Sequence, residues 1–132
     1  MGYKLIHGDS LKAMRTMSKN GEKVQGIVCS PPYNSSRTSG ELDSNRYGEY
    51  NDSKNDIEYR KWILEFFQGF DKILEKDGVV VWNQSYGTQS VEMAQNLWLI
   101  VSEIIQNTPF CVADQLAWKK HTALPNTSLQ IK

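Results

Sequence analysis

The chain has 132 residues, with 15 basic and 15 acidic side chains and therefore no net charge. This length accommodates one domain with a core of its own, so residues 1–132 are expected to form a single domain. The charge balance argues against a protein that holds nucleic acid by electrostatics alone, and no apolar run approaches the ~20 residues of a membrane-spanning helix.

The N-terminal residues predict a strand, an acidic turn and a short helix. Tyr3–His7 is predicted to form the strand, and apolar residues at positions 11, 14 and 17 predict a helix that Ser10 caps. Asp9 then lies between the carboxyl end of a strand and the start of a helix. At that position it either caps the helix or contacts a ligand.

The central motif is Ser30-Pro31-Pro32-Tyr33-Asn34, which follows a predicted strand at Val24–Cys29. The two prolines have fixed φ angles and no N–H groups, so the turn is stiff. Its carbonyls and the Ser30 hydroxyl can accept hydrogen bonds from a ligand amine with no neighbouring amide donor competing for them. Beside the Tyr33 ring, such acceptors suit a nucleobase removed from its stack. The alternative is a proline-rich turn that only ends a buried strand.

Residues 35–54 are almost wholly polar and predict a long loop that begins at the expected ligand site. The loop interleaves cations with aromatic rings, a mixture that suits a phosphate backbone and bases. These residues are Arg37, Arg46, Tyr47, Tyr50 and Lys54. A loop that is merely solvated is the alternative.

The strongest helical pattern follows this loop. Apolar residues recur at steps of three and four over residues 59–74, which predicts a helix whose aromatic side chains belong to the core. Asn55 and Glu58 form a capping-box-like pair at its start, and Asp77-Gly78 is predicted to end it. Gly69 inside this helix predicts close packing.

Two further strands and a helix are predicted towards the C-terminus. Val79–Trp82 is a continuous apolar run, typical of a strand covered on both faces in a parallel sheet, and it completes a strand–helix–strand unit. Residues 83–87 bring side-chain amides to the edge where the central motif lies. Ser90–Gln106 predicts a helix whose all-round apolarity indicates burial or a partner surface. Phe110–Trp118 predicts a strand, followed by a basic loop.

The cysteines and the N-terminus indicate a cytoplasmic protein. Cys29 and Cys111 lack the spacing of zinc ligands, so no metal site is expected and both thiols are predicted to be reduced, buried and structural. The start of the chain is too short and too polar for a signal peptide.

With its Ser-Pro-Pro-Tyr-Asn motif placed after a strand, the chain resembles the amino-methylating DNA methyltransferases, in the group whose target-base motif precedes the cofactor motif. Three other segments resemble family pieces in the same order, namely residues 6–11, 78–83 and 116–120 with Pro125. The resemblance covers nearly all of the chain. It implies an α/β fold, a partial Rossmann-like methyltransferase fold with a mostly parallel sheet and flanking helices.

The resemblance also implies a reaction and a site. A flipped base would stack on Tyr33, with its amino hydrogens accepted by Ser30 and by the carbonyl of Pro31 in the turn that Pro32 stiffens, and S-adenosylmethionine would donate the methyl group. The expected cofactor contacts are Asp9, Ser10 and Ser30. The expected DNA contacts are Asn34, Arg37, Arg46, Trp118, Lys119 and Lys120. Serine at the first motif position resembles the cytosine-N4 subgroup, while adenine N6 remains open.

One family feature is missing, because the chain contains no Gly-x-Gly sequence for the cofactor. The chain is therefore expected to be an incomplete catalytic domain, inactive alone, whose partner chain or C-terminal half supplies that motif. A restriction-modification enzyme acting on DNA is the expected context. The alternatives are a non-catalytic remnant or partner subunit, and a methyltransferase for RNA or protein amides.

Overall fold

The computed structural model describes residues 3–34, 54–84 and 91–117, with only the backbone described at 91–96. Its elements in chain order are α1 (Ser10–Lys19), β1 (Val24–Cys29), α2 (Asp56–Ile73), β2 (Leu74–Trp82) and α3 (Val91–Asn107). The strands β1 and β2 pair in parallel and α2 connects them. The predicted α/β class and the strand–helix–strand unit are confirmed.

The pairing of β1 with β2 brings the carboxyl ends of both strands to one edge. Cys29 lies opposite Trp82, and the ladder continues for one further bond, from the Asn83 N–H to the Cys29 carbonyl at 2.9 Å. The bounds of β1 are those predicted. Residues that follow Cys29 and residues that follow Trp82 are therefore neighbours, which is the placement that open parallel sheets use for ligands.

The start of α2 is confirmed and its predicted end is wrong. The Asn55 side chain accepts from the Glu58 N–H at 3.0 Å and caps the helix. The helix stops at Ile73, because Leu74 is already extended, with φ −82° and ψ 144°, and pairs with Val24. Asp77-Gly78 lies within β2 instead.

Close packing, rather than helix termination, accounts for the glycine at position 78. A Cβ there would lie 2.5 Å from the Leu74 Cγ and 3.0 Å from the carbonyl oxygen of Gln25. The register shifts between Val24 and Gly26, where β2 contains extra residues. The missing side chain lets the strands stay paired across this irregularity.

The core is centred on α2, as its apolar pattern predicts. Phe67 makes edge-to-face contacts with Trp82 of β2 and with Phe110, at centroid distances of 5.4 Å and 5.6 Å. A Cβ at Gly69 would lie 2.9 Å from the Met14 Cε, which confirms the predicted close packing, here against α1. The buried members of the core are Met14, Tyr59, Ile63, Phe67, Phe70, Ile73, Ile100 and Ile104.

The described residues cover only one face of the sheet, so the prediction of a strand buried on both faces is wrong. Val28, Val79 and Val81 are 82%, 59% and 53% exposed, whereas the alternate residues Val80 and Trp82 pack against the core. The cause is geometric: α1 and α3 make their main helix contacts with α2. Phe67 of α2 packs on Trp82, on the face of the sheet that faces the core.

Two predicted strands are absent from the described residues. Residues 3–7 and 110–117 are neither helix nor strand. Apart from half-buried Phe110, their side chains are exposed, with Leu5 at 89% and Leu116 at 86%. Alternating apolarity is a local signal, but a strand also requires a partner. Within the described part of the chain, β1 and β2 pair only with each other.

The described residues also test the predictions for the last helix, for the two cysteines and for membrane-spanning segments. The helix predicted at Ser90–Gln106 is confirmed as α3. The prediction of two buried thiols is wrong, since Cys29 is half-buried and Cys111 is exposed, although both are free. No helix among the described residues has the length and apolarity needed to cross a membrane.

Candidate functional site

The candidate site lies at the carboxyl edge of the sheet, where the Ser30–Asn34 turn leaves β1 beside Asn83 and Gln84, which follow β2. Parallel pairing is what brings the two segments together, since Asn83 and Cys29 share a backbone hydrogen bond. The expected gathering of side-chain amides beside the central motif is confirmed for these two residues.

Three polar side chains form a hydrogen-bonded triangle at this edge. The Ser30 and Tyr33 hydroxyl oxygens are 2.7 Å apart. The Asn83 amide donates to the Tyr33 hydroxyl at 2.8 Å and to the Ser30 hydroxyl at 3.3 Å. The expectation that no amide donor competes for the turn's acceptors is therefore wrong. The proline backbone supplies no competing N–H, but the neighbouring strand supplies a side-chain donor.

The two proline carbonyls differ in their surroundings. The hydroxyl of buried Tyr59 donates to the Pro32 carbonyl at 2.7 Å and lies 3.3 Å from the Gln84 side-chain oxygen. The Pro31 carbonyl receives no hydrogen bond from any described residue. The acceptors that remain for a ligand amine are thus the Pro31 carbonyl and the Ser30 hydroxyl, although the latter already accepts from the Asn83 amide.

The Asn34 side chain joins the end of the turn to the backbone of Lys54. Its amide donates to the Lys54 carbonyl and its side-chain oxygen accepts from the Lys54 N–H, both at 2.7 Å. The residue is 8% exposed and has a positive φ of 54°, a conformation that asparagine tolerates better than most residues. Its predicted contact with DNA stays a prediction, because both ends of its side-chain amide already bond to the backbone of Lys54.

The acidic turn at Asp9 caps α1. Its carboxylate accepts from the Lys12 N–H at 2.8 Å, so the capping alternative is confirmed and the cap predicted at Ser10 is wrong. Ser10 is instead the first residue of the helix. Both are exposed, and no hydrogen bond or ion pair among the described residues joins them to the central turn. Their cofactor role stays a prediction.

The remaining predicted DNA contacts lie outside the described residues. They are Arg37, Arg46, Trp118, Lys119 and Lys120. Their roles stay predictions as well.

The cavity found among the described residues is too small for a cofactor of the size of S-adenosylmethionine. A cavity of about 110 Å³ lies between α1 and α2, well below the roughly 300–1,000 Å³ of typical ligand pockets. It is lined by Leu11, Met14, Arg15, Glu65, Gln68, Gly69 and Lys72, none of which belongs to the turn. Within the same described ranges, no group of three or more His, Cys, Asp or Glu residues could hold a metal ion.

Sequence reasoning placed the Asn83 amide at this edge but missed its hydrogen bonds to the turn, and it missed the polar contact of Tyr59. The apolar spacing of α2 assigns Tyr59 to the core, and its hydroxyl is the one signal that it also has a polar partner. Asn83 follows directly after an apolar strand, at the edge where ligands bind, and that position is the signal for a role.

The Cys29 thiol lies next to the turn and is half-buried. Burial raises the pKa of Cys29, because a thiolate loses hydration when it is partly enclosed. The residue therefore contributes no negative charge beside Ser30 at neutral pH.

Comparison with known families gives one match. A family model described as DNA methylase, for N6 and N4 methylation, matches residues 24–130. The match runs from β1 through the Ser30–Asn34 turn, α2, β2 and α3, and it leaves out the acidic turn at Asp9. Searches of curated proteins and of solved structures each return no match.

Proposed function

The chain belongs to the amino-methylating DNA methyltransferases, and from that premise we propose that it transfers a methyl group from S-adenosylmethionine to the exocyclic amine of a flipped DNA base, cytosine N4 in preference to adenine N6. One observation carries the proposal. The Ser30 hydroxyl, the Pro31 carbonyl and the Tyr33 ring are gathered in one stiff turn at the carboxyl edge of the sheet.

The chemistry of the target accounts for these residue types. An exocyclic amine shares its lone pair with the ring and is a poor nucleophile. Acceptors at Ser30 and Pro31 that hold its two hydrogens draw the nitrogen towards a tetrahedral, more nucleophilic geometry. The Tyr59 hydroxyl already occupies the Pro32 carbonyl at 2.7 Å, which leaves the Pro31 carbonyl as the proline acceptor for the amine.

Stacking on Tyr33 stabilises the flipped base. A base on an aromatic ring gains roughly 1–3 kcal/mol, which is comparable with the few kcal/mol that extrusion from a duplex costs. The ring is attached at its hydroxyl to Ser30 and Asn83, so its position relative to the acceptors is fixed before a base arrives. Loss of the ring therefore removes base capture itself.

The choice of base rests on Ser30. Its hydroxyl is neutral and supplies no negative charge to the amine, and serine at this position resembles the cytosine-N4 subgroup. Arg37, Arg46, Trp118, Lys119 and Lys120 are the proposed contacts to DNA outside the turn, and Asn34 is a further one.

The methyl donor requires residues beyond those of the central turn. S-adenosylmethionine supplies an electrophilic methyl group when bound, and Asp9, Ser10 and Ser30 are the chain's proposed contacts to it. The cavity of about 110 Å³ between α1 and α2 is too small to enclose that molecule. Segments outside the described ranges, or a partner chain carrying a Gly-x-Gly motif, complete the cofactor site in this proposal.

Methyl transfer tests the proposal directly. The full chain is incubated with cytosine- and adenine-containing DNA and labelled S-adenosylmethionine, and the methylated nucleosides are identified by mass spectrometry. We expect N4-methylcytosine, its loss in Tyr33→Ala, and no change in Tyr3→Ala, whose side chain is 96% exposed. N6-methyladenine would overturn the cytosine assignment, and near-normal turnover by Tyr33→Ala would overturn the role of the ring.

The open face of the sheet favours a second candidate function, that of a subunit in a split enzyme. Parallel sheets are normally covered on both faces, yet Val28, Val79 and Val81 are exposed. Trp98 and Leu99 of α3 are also 58% and 50% exposed. If the chain binds no S-adenosylmethionine in a calorimetric titration but forms a defined complex with a methyltransferase chain, this second function replaces the first.

A further inference from the structure

Asn83 is the one described residue whose side chain donates to both hydroxyls of the central turn. Its own backbone is held by the sheet, because its N–H donates to the Cys29 carbonyl at 2.9 Å. From this fixed point the side-chain amide reaches the Tyr33 hydroxyl at 2.8 Å and the Ser30 hydroxyl at 3.3 Å. The carboxyl end of β2 is thereby tied to the working residues of the β1 turn.

We propose that Asn83 is the positioning residue of this site: it holds the Tyr33 ring and the Ser30 hydroxyl in one fixed arrangement, so that a stacked base presents its amine to Ser30. The inference rests on the proposed function of the same site. Without the amide, the Tyr33 hydroxyl keeps only Ser30 as a partner among the described residues. The ring then gains freedom, which a bound base has to remove again.

The three hydrogen-bonded side chains allow two arrangements of the hydroxyl hydrogens. When Ser30 donates its hydrogen to Tyr33, the Tyr33 oxygen accepts from both Ser30 and Asn83, and Ser30 retains a lone pair for a ligand amine. In the reverse arrangement Ser30 accepts from Tyr33 and Asn83 and presents its own hydrogen instead. A ligand amine, as a donor, selects the first arrangement.

Three variants test this role. Asn83→Leu removes the hydrogen bonds at nearly constant volume, and Tyr33→Phe removes the hydroxyl but keeps the ring. Asn83→Asp retains a partner for Tyr33, because the phenol can donate to the carboxylate. Asn83→Leu is expected to lower kcat/KM for methyl transfer about fivefold, the factor that corresponds to about 1 kcal/mol for one hydrogen bond. Asn83→Asp is expected to retain most of the rate. The double variant that combines Asn83→Leu with Tyr33→Phe is expected to be no slower than the slower of these two single variants.

A spectroscopic readout follows the ring without depending on turnover. The full chain is labelled with ring-¹³C tyrosine, and the Tyr33 signal is assigned by its loss in Tyr33→Phe. Asn83→Leu is expected to shift or broaden the Tyr33 signal and to leave that of Tyr3 unchanged, while Asn83→Asp keeps it closer to its original position. Gln68→Leu, an exposed change on α2, is the matched control and leaves the Tyr33 signal and the rate unaltered.

The outcomes separate this inference from the proposed function. An unshifted Tyr33 signal in Asn83→Leu overturns the positioning role, whether or not the wild-type chain methylates DNA. Losses that add in the double variant overturn it as well, since independent sites add. A wild-type chain that transfers no methyl group, with a shifted Tyr33 signal in Asn83→Leu, overturns the proposed reaction and leaves the contact intact.

Discussion

Asn34 offers the sharpest test of how the turn is held, because its side chain and its backbone conformation can be perturbed separately. Asn34→Ala removes two hydrogen bonds of 2.7 Å to the Lys54 backbone and places alanine at a φ of 54°. Each bond contributes about 0.5–1.5 kcal/mol and the left-handed conformation costs alanine about 1 kcal/mol, so the free energy of unfolding is expected to fall by about 2–4 kcal/mol. Asn34→Gly loses the same bonds without the conformational cost, and is expected to lose about 1–3 kcal/mol.

Urea unfolding of the full chain, followed by tryptophan fluorescence, measures both variants. The control is Asn107→Ala, which deletes a side-chain bond of 2.8 Å to the Glu103 carbonyl at the exposed end of α3. Water replaces that bond, so the control is expected to stay within about 0.5 kcal/mol of wild type. If Asn34→Ala were as stable as Asn34→Gly, the conformational argument would be refuted. If both matched the control, the role of Asn34 in holding the turn would be refuted as well.

Four further predictions concern other parts of the chain. Tyr59→Phe leaves the half-buried Pro32 carbonyl without its donor and is expected to lower the free energy of unfolding by about 1–2 kcal/mol in urea, whereas an unchanged midpoint would mean that the bond contributes nothing. Gly78→Ala forces a methyl group to within 2.5 Å of a leucine carbon in the same strand and is expected to lower stability by about 1–3 kcal/mol in the same assay. A thiol reagent is expected to modify exposed Cys111 before Cys29, and equal rates would contradict the burial that raises the pKa of Cys29. The folded state holds the Cys29 proton more tightly than the unfolded state. The contribution of Cys29 to the free energy of unfolding is therefore constant at neutral pH and decreases as the pH rises above about 8.5, and the Cys29→Ser variant is expected to lack this part of the decrease.

The elements predicted correctly are those whose signals are local. Asn55 and Glu58 lie three residues apart at the start of an apolar stripe, and this spacing alone defines the start of α2. The run at Val24–Cys29 is bounded by polar residues on one side and by two prolines on the other, so its bounds as β1 could be read directly. Neither inference needs knowledge of a distant residue.

The wrong predictions concern elements whose structure depends on pairing with residues distant in the sequence. Residues 3–7 and 110–117 have strand-like alternation but no pairing partner within the described part of the chain. The end predicted for α2 at Asp77-Gly78 is wrong for a related reason. Asp77-Gly78 has the composition of a helix stop, yet Leu74 already pairs with Val24, a contact that the local sequence does not encode.

In the candidate site, too, the contiguous residues could be predicted and the role of the distant one could not. Ser30, Pro31 and Tyr33 are contiguous, so their acceptors and ring could be predicted from the turn alone. Asn83 lies 53 positions from Ser30, and its role depends on the register that sets Cys29 opposite Trp82. A shift of one residue in that register would turn the side chain at position 83 to the other face of the sheet. The chemistry proposed for the turn therefore depends on the pairing of β1 with β2 as much as on the motif itself.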